Sequence, residues 1–258
     1  MIVLETIPLS YIFAGSIVVL LLTGQLGRMV GRWQRTHGGD NVATLEGAVL
    51  GLLALMISFT FAMSLSRFDA RRDALLNEAN AIGTTALRAR LLPAPHNAES
   101  LKLLSEYVQL RLDATKTALT IDGLTGFIDR SNAIQEALWQ QAKAVAAKDS
   151  AMVPTGIFIQ TLNEMIDNQE KRMTAVRNRV PNVVLLALYG IAMVAFAFSG
   201  YAAGLDARRS RLPVFLMALL VTGVILLIQD LDRPGVGYIR VSQQPMIDTA
   251  NSIAGFKD

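Results

Sequence analysis

The most distinctive polar chemistry of the sequence follows its last apolar stretch, in IQDLDRPGVGYIRVS (residues 228–242, the post-span turn). Asp230 and Asp232 stand there directly before Arg233 and Pro234. Carboxylates at the C-terminal end of a helix oppose the helix dipole, so they need a compensating basic group or a bound cation. Grouped oxygen ligands suit a hard cation such as calcium, but two carboxylates are few for such a site. We interpret the turn as a salt-bridged helix end, with a cation site on Asp230 and Asp232 as the alternative.

Two further polar groups occur in SRFDARRDALLNEANAIGT and in LNEMIDNQEKRM. On a helix, Arg67, Arg71 and Glu78 are separated by four and seven residues and therefore share one face. The structural interpretation is a surface ladder of ion pairs for the first group and a solvated helix face for the second. The functional interpretation places the arginines on the wall of an ion pathway, where their charge raises the local anion concentration. The full set is Arg67, Asp69, Arg71, Glu78 and Asn80 in the first group, and Asn163 and Asp167 in the second.

Residues that support catalysis are sparse. The two histidines, His37 and His96, lie in predicted loops without a partnering motif, and the chain has no cysteine. No GxSxG, HExxH or Walker glycine motif occurs. Basic residues gather at the ends of apolar segments instead of forming a stripe with aromatic residues, which argues against a nucleic-acid partner. We therefore expect no enzymatic activity and no cofactor, apart from the calcium alternative.

The elements that must position these residues are indicated by hydropathy. Charged residues make up 17% of the chain, below the roughly 25% typical of soluble domains. The deficit is confined to a few segments, each close to the roughly 17–25 residues that a helix needs to cross a bilayer. The stretch 67–179 is as charged as an ordinary soluble protein. The apolar segments are residues 6–27, 47–66, 180–205 and 212–229.

This pattern predicts an all-α membrane protein with four transmembrane helices and a helical-bundle domain inserted between the second and third spans. The second helix has no breaker except Gly83 before Pro93, so we expect it to continue from the membrane into the bundle. Alternating polarity is nearly absent, so no sheet is expected. The predicted organisation is residues 1–66 for the first two spans and their short basic loop, 67–179 for the bundle, 180–230 for the last two spans and 231–258 for a C-terminal tail.

Small residues line one face of the second span and recur in the third. Small side chains let transmembrane helices approach closely, so one interpretation is tight packing within the subunit. The other interpretation is that this face of the second span, or its neighbour, lines a pore. The residues are Gly47, Gly51, Ala54, Ser58 and Ala62 in the second span, and Gly190, Ala192, Ala195, Gly200 and Gly204 in the third.

Three blocks of the sequence resemble the signature blocks of the bacterial bestrophin-like family of unknown function. They are FAMSLSRFDARRDALLNEANAIGTTALRARLLP, LNEMIDNQEKRMTAVRNRVP and LDRPGVGYIRVSQQPM. The blocks occur in the family's order and in the same places relative to four spans. The further link to the true bestrophins rests on architecture.

That link implies a pentameric anion channel in which the second helix of each subunit lines the pore. Bestrophins narrow this pore with bulky apolar residues one turn apart, a spacing that Ile57, Phe61 and Leu65 share. In a second register, Phe59 and Met63 fit almost as well. Bestrophins also carry an acidic calcium-binding clasp after the fourth span. The post-span turn occupies that place but lacks the long acidic run.

Orientation in the membrane is not decided by charge alone. With four spans, both termini and the bundle lie on one side, and the two short loops with six arginines lie on the other. Basic residues near the span ends on the bundle side are more numerous than these six. The bestrophin resemblance implies a cytoplasmic bundle and a bacterial inner-membrane protein, in agreement with the larger arginine count.

Two hypotheses about function follow. In the first, the chain is the subunit of an oligomeric, anion-conducting channel, and its partners are lipid, small ions and further copies of itself. In the second, it is a membrane-anchored interaction or sensory module without a pore, which the absence of charge within the second span favours. A closed ring of subunits distinguishes them, because a pore on a symmetry axis needs cyclic assembly.

Overall fold

The computed structural model describes residues 7–35, 42–116, 121–148, 153–206, 211–235 and 237–256, with no side-chain description at 115–116 and 121–125. These residues form helices and, within the ranges described, no strand. The helices are α1 (Leu9–Arg35), α2 (Ala43–Ala89), α3 (His96–Lys116), α4 (Ile121–Lys148), α5 (Val153–Arg177), α6 (Asn182–Leu205), α7 (Leu212–Asp232) and α8 (Gln244–Ala254). His37 lies outside the described residues.

The chain divides into two compact units. The membrane unit comprises Met1–Phe68 and Arg179–Ile239, and the polar unit comprises Asp69–Asn178 and Arg240–Asp258. Apolar stretches in α1, α2, α6 and α7 are long enough and apolar enough to cross a bilayer. The prediction of four spans in an all-α fold is therefore confirmed.

The second helix is continuous, as its lack of breakers predicts. α2 runs through 47 residues, a length of about 70 Å at the usual helical rise. The passage from α5 to α6 is different, because α5 ends at Arg177 and Pro181 caps the start of α6. A proline fits that position because it lacks the backbone N–H that a helix interior requires.

In the membrane unit, α1 and α6 pack backbone against backbone. A Cβ added to Gly200 would overlap the carbonyl oxygen of Gly24, and a Cβ on Gly27 would overlap that of Ala197. A Cβ added to Gly204 would also be too close to the backbone of α1, at Arg28 and Arg32. The predicted close contact is therefore confirmed for Gly200 and Gly204. It is wrong for Gly190, where an added Cβ would meet nothing within 4 Å.

The polar unit is a helical bundle around a core of buried apolar side chains. Within it α3 packs against α4 and α8, and α4 packs against α5. Met246, Ala250 and Ile253 of α8 are buried in this core. Thr249 also donates a hydrogen bond to the carbonyl oxygen of Ala79, at 3.2 Å. Part of the segment that we expected to be a tail, Gln244–Ala254, is thus a packed helix.

Candidate functional site

The small-residue face of α2 is uncovered in the membrane unit. Residues Gly51, Ala54, Ser58 and Ala62 are exposed, and a Cβ added to Gly47 or Gly51 would meet nothing within 4 Å. The opposite side of the helix carries the buried residues Leu53, Thr60 and Ser64. The interpretation that this face packs tightly within the subunit is therefore wrong for the part of the chain that the structure describes.

The predicted neck residues differ in how far they are buried within the protein. Ile57 and Phe61 are half-buried and pack against the membrane-unit core, whereas Leu65 is 40% exposed. In the alternative register Phe59 is 64% exposed, and Met63 packs against the same core. Neither register is exposed as a whole, so both stay predictions. Leu65 follows Ser58 by seven residues and therefore continues the exposed small-residue face.

A buried ion cluster lies in the polar unit around Glu78, whose side chain is 0% exposed. Its Oε1 lies 2.7 Å from Nε of Arg111 on α3, and its Oε2 lies 2.6 Å from Nη1 of Arg172 on α5. Arg172 Nη2 also donates to Oε1 of Gln243, at 3.4 Å. One buried carboxylate thus joins α2, α3 and α5, and the three charges sum to +1.

A chain of neutral polar groups extends this cluster. The hydroxyl of Tyr107 lies 3.4 Å from Glu78 Oε1 and donates to Oε1 of Gln169 at 2.6 Å. Gln135 donates to the same Gln169 oxygen at 2.9 Å, and Gln169 donates to Asn132 at 3.3 Å. Burial first, and then the Glu78 charge, raises the pKa of Tyr107, so this hydroxyl keeps its proton at neutral pH.

This cluster corrects the surface-ladder interpretation of Glu78. The ion partners described for this carboxylate are on other helices, 33 and 94 residues away in the sequence. Arg71 is also buried, at 4% exposure, which does not favour the functional interpretation that placed it on the wall of an ion pathway. Arg111 and Arg172 were missed, although a signal existed: each falls on the apolar stripe of its own helix. A charged residue on such a stripe indicates a buried ion pair.

The remaining residues of the two polar groups are nearer the surface. Arg67 is half-buried, and Asp69 pairs with Arg72 at 3.5 Å in an exposed position. Asn80 and Asp167 are exposed. Asn163 is exposed too, and it lines a shallow depression of about 330 Å³ with Asn132, Gln135 and Trp139. The solvated-face interpretation of Asn163 and Asp167 fits these positions.

In the post-span turn, both carboxylates are buried and bind backbone amides. Asp230 accepts hydrogen bonds from the N–H of Tyr238 at 2.7 Å and of Ile239 at 3.0 Å. Asp232, at the end of α7, accepts one from Val180 N–H at 2.9 Å. Backbone N–H groups are thus among the partners that compensate these charges, where we expected a basic side chain or a bound cation.

Arg233 and two glycines complete the turn. Arg233 donates to the carbonyl oxygen of Ile7 at 2.7 Å, and Pro234 follows it. Gly235 has a φ of 78°, which favours glycine. Gly237 lies against the Asp230 carboxylate, so closely that an added Cβ would overlap it.

Among the described residues, no group of three or more His, Asp or Glu side chains could hold a metal ion. Calcium binding stays a prediction.

Replacing Asp230 with asparagine should lower the free energy of unfolding by about 1–3 kcal/mol, because the amide presents an N–H₂ group to backbone N–H donors. Thermal unfolding of the purified protein measures this, with Asp248→Asn on the exposed surface of α8 as the control. In this interpretation calcium leaves the melting temperature of both proteins unchanged. A calcium-dependent rise in the wild type that Asp230→Asn abolishes would instead favour the cation site.

Comparison with known proteins agrees with this architecture. A family model described as the Bestrophin-like domain matches residues 13–246. Crystal structures of two mutants of a bacterial bestrophin homolog from Klebsiella pneumoniae have TM-scores of 0.71 and 0.69, each at 15% sequence identity. The matches cover 95% and 92% of this chain, and 99% and 96% of those chains. Among curated proteins, no sequence matches the chain.

The apolar helices and the all-helical fold define a multi-pass membrane protein. The chain belongs to the Bestrophin-like family, because the family model spans nearly its whole length. At 15% identity the Klebsiella structures show a common fold and nothing finer.

Proposed function

We propose that the chain is the subunit of an oligomeric ion channel, with α2 lining the pore. The observation that carries the proposal is the exposed small-residue face of α2, opposite its packed side. In a cyclic assembly this face of each copy can point toward the symmetry axis, where small side chains leave room for a water-filled passage. The bestrophin resemblance supports a ring of five subunits.

The proposed constriction lies where bulky residues follow the small ones. Leu65 continues the exposed face, and Phe61 lies one turn before it, half-buried. No charged residue occurs between residues 47 and 66, so the passage is uncharged there, and Phe61 and Leu65 make the constriction itself apolar. A narrow apolar ring closes a pore by expelling water and opens it by a small increase in width.

We further propose that the conducted ions are anions. Arg67 comes seven residues after Thr60, so it starts on the packed side of α2, and its long, half-buried side chain carries a charge close to the level of Leu65. A cationic group at the end of a low-dielectric passage raises the local anion concentration. The bestrophin resemblance supports the same selectivity. It also supports an inner-membrane location in bacteria with the polar unit in the cytoplasm, and it supports a channel over an enzyme.

The channel is tested with purified protein in liposomes. Chloride flux should exceed that of empty vesicles, and Leu65→Ala should raise it several-fold, because a smaller side chain widens an apolar ring and keeps it wet. Phe61→Ala should act in the same direction. Leu220→Ala, an exposed apolar position on α7, removes similar bulk away from α2 and serves as the control.

Two results would remove this proposal. The first is a halide flux equal to that of empty vesicles, and the second is a flux that neither Leu65→Ala nor Phe61→Ala alters. A monomer or dimer by native mass measurement would then favour the membrane-anchored module. The absence of charge within the second span is the feature that supports that second function.

A further inference from the structure

A groove in the membrane unit lies between α1, α6 and the start of α7. It encloses about 340 Å³, within the range of small-molecule binding sites. Arg28 and Gln25 of α1 line it together with Arg211, the residue that precedes α7. Because the start of α1 meets the end of α7 through Ile7 and Arg233, this groove lies at the opposite end of these spans.

The polar part of the groove is cationic. Arg28 and Arg211 both line it, and none of its lining residues is acidic. Arg32 follows Arg28 by one turn at the same end of α1. Guanidinium groups bind phosphate with paired, charge-assisted hydrogen bonds, so an anionic phosphate complements this part of the groove.

The rest of the groove is apolar and continues onto the outer surface of the spans. Leu22 and Phe215 line it and are 59% and 51% exposed, and Val214 lines it between them. Beside the groove, Leu26 on α1 and Leu212 on α7 are more than half exposed. Exposed apolar side chains on a span suit contact with lipid hydrocarbon. The groove therefore presents charge at the membrane surface and an apolar surface toward the membrane interior.

We propose that this groove binds one anionic phospholipid. Arg28 and Arg211 hold its phosphate, Gln25 donates a further hydrogen bond, and an acyl chain lies along Leu22 and Phe215. A free phosphate ion leaves the apolar part unfilled. A zwitterionic lipid has no net charge, so two arginines contribute less to its affinity. Basic pockets between transmembrane helices are known to recognise anionic lipid headgroups in this way. The site does not depend on ion conduction.

The test uses the delipidated protein in detergent and native mass spectrometry. Phosphatidylglycerol should bind more tightly than phosphatidylcholine with the same acyl chains. Arg28→Gln with Arg211→Gln should weaken phosphatidylglycerol roughly fivefold for each arginine, since a basic residue near an anionic lipid contributes about 1 kcal/mol. Arg35→Gln, which removes the same charge outside the groove, should retain the affinity. Val214→Trp should weaken binding by filling the apolar part.

A second double variant is the control for misfolding. Arg28→Lys with Arg211→Lys preserves the charges, so it should keep the preference for phosphatidylglycerol over phosphatidylcholine. Equal affinity for the two lipids in the wild type overturns the proposal, and so does full affinity in the double glutamine variant. Inorganic phosphate that binds as tightly as phosphatidylglycerol also overturns it, because the acyl chain then contributes nothing to the affinity.

Discussion

Replacing Glu78 with alanine should lower the free energy of unfolding of the polar unit by about 3–5 kcal/mol. The change leaves Arg111 and Arg172 facing each other, both largely buried, without the carboxylate that now lies within 2.7 Å of each. Removing one member of a buried ion cluster costs far more than removing a surface pair, because the partners stay desolvated. The polar unit should therefore melt well below the wild type.

The measurement can be confined to the polar unit. The chain has two tryptophans, Trp33 and Trp139, and only Trp139 belongs to the polar unit. A Trp33→Phe background therefore reports the unfolding of that unit by fluorescence. Asp73→Ala is the matched control: it removes a carboxylate from the same helix, but this one is 61% exposed and should matter by less than about 1 kcal/mol.

Two variants test the explanation itself. Substituting Glu78→Leu, Arg111→Met and Arg172→Met together should recover most of the lost stability, because no uncompensated charge stays buried. A Glu78→Ala protein that melts with the wild type would show that the cluster does not stabilise the bundle. The same conclusion would follow if the triple variant were no more stable than Glu78→Ala.

Replacing Gly200 with leucine should prevent α1 and α6 from packing as they do and should lower the free energy of unfolding by about 3 kcal/mol, the upper end of the usual cost of overpacking. Even one added carbon overlaps the backbone of Gly24, and backbone cannot rotate away as a side chain can. The yield of monodisperse protein in size-exclusion chromatography and its melting temperature measure the loss. Gly200→Ala should show the same effect to a smaller extent.

Gly190→Ala on the same helix is the control for this prediction. The space around Gly190 is open, and alanine is a better helix former than glycine, so stability should be unchanged or slightly raised. If Gly200→Leu and Gly190→Ala gave equal yields and equal melting temperatures, the close approach of α1 and α6 would not be important for the fold.

Much of the fold can be predicted from the sequence, because bilayer thickness and hydropathy constrain the spans directly. The continuity of α2 followed from the lack of a breaker, and Pro181 stands at the position where the new helix α6 begins. A signal for α8 was also present, since Met246, Ala250 and Ile253 recur at helical spacing after Pro245.

The rest depends on tertiary contacts that local patterns do not report. The partners of Glu78 are supplied by helices far along the chain, so its own neighbours suggested a solvated ladder. Gly190 and Gly200 look equivalent in sequence, yet only Gly200 meets another backbone. Likewise, small residues on a span indicate either close helix packing or a pore lining. The exposure of Ser58 and its neighbours favours the pore lining, and this exposure is known only from the fold.

The glycine contacts between α1 and α6 have a mechanical consequence. Where two backbones touch, no side chain lies between them to change rotamer and absorb a displacement. Sliding α6 along α1 by one residue, about 1.5 Å, would take Gly200 and Gly204 out of register with the backbone that they face. The pair must therefore move as one rigid piece. Within the membrane unit, easy rearrangement is left to contacts made through flexible side chains, such as that of Met63 on α2.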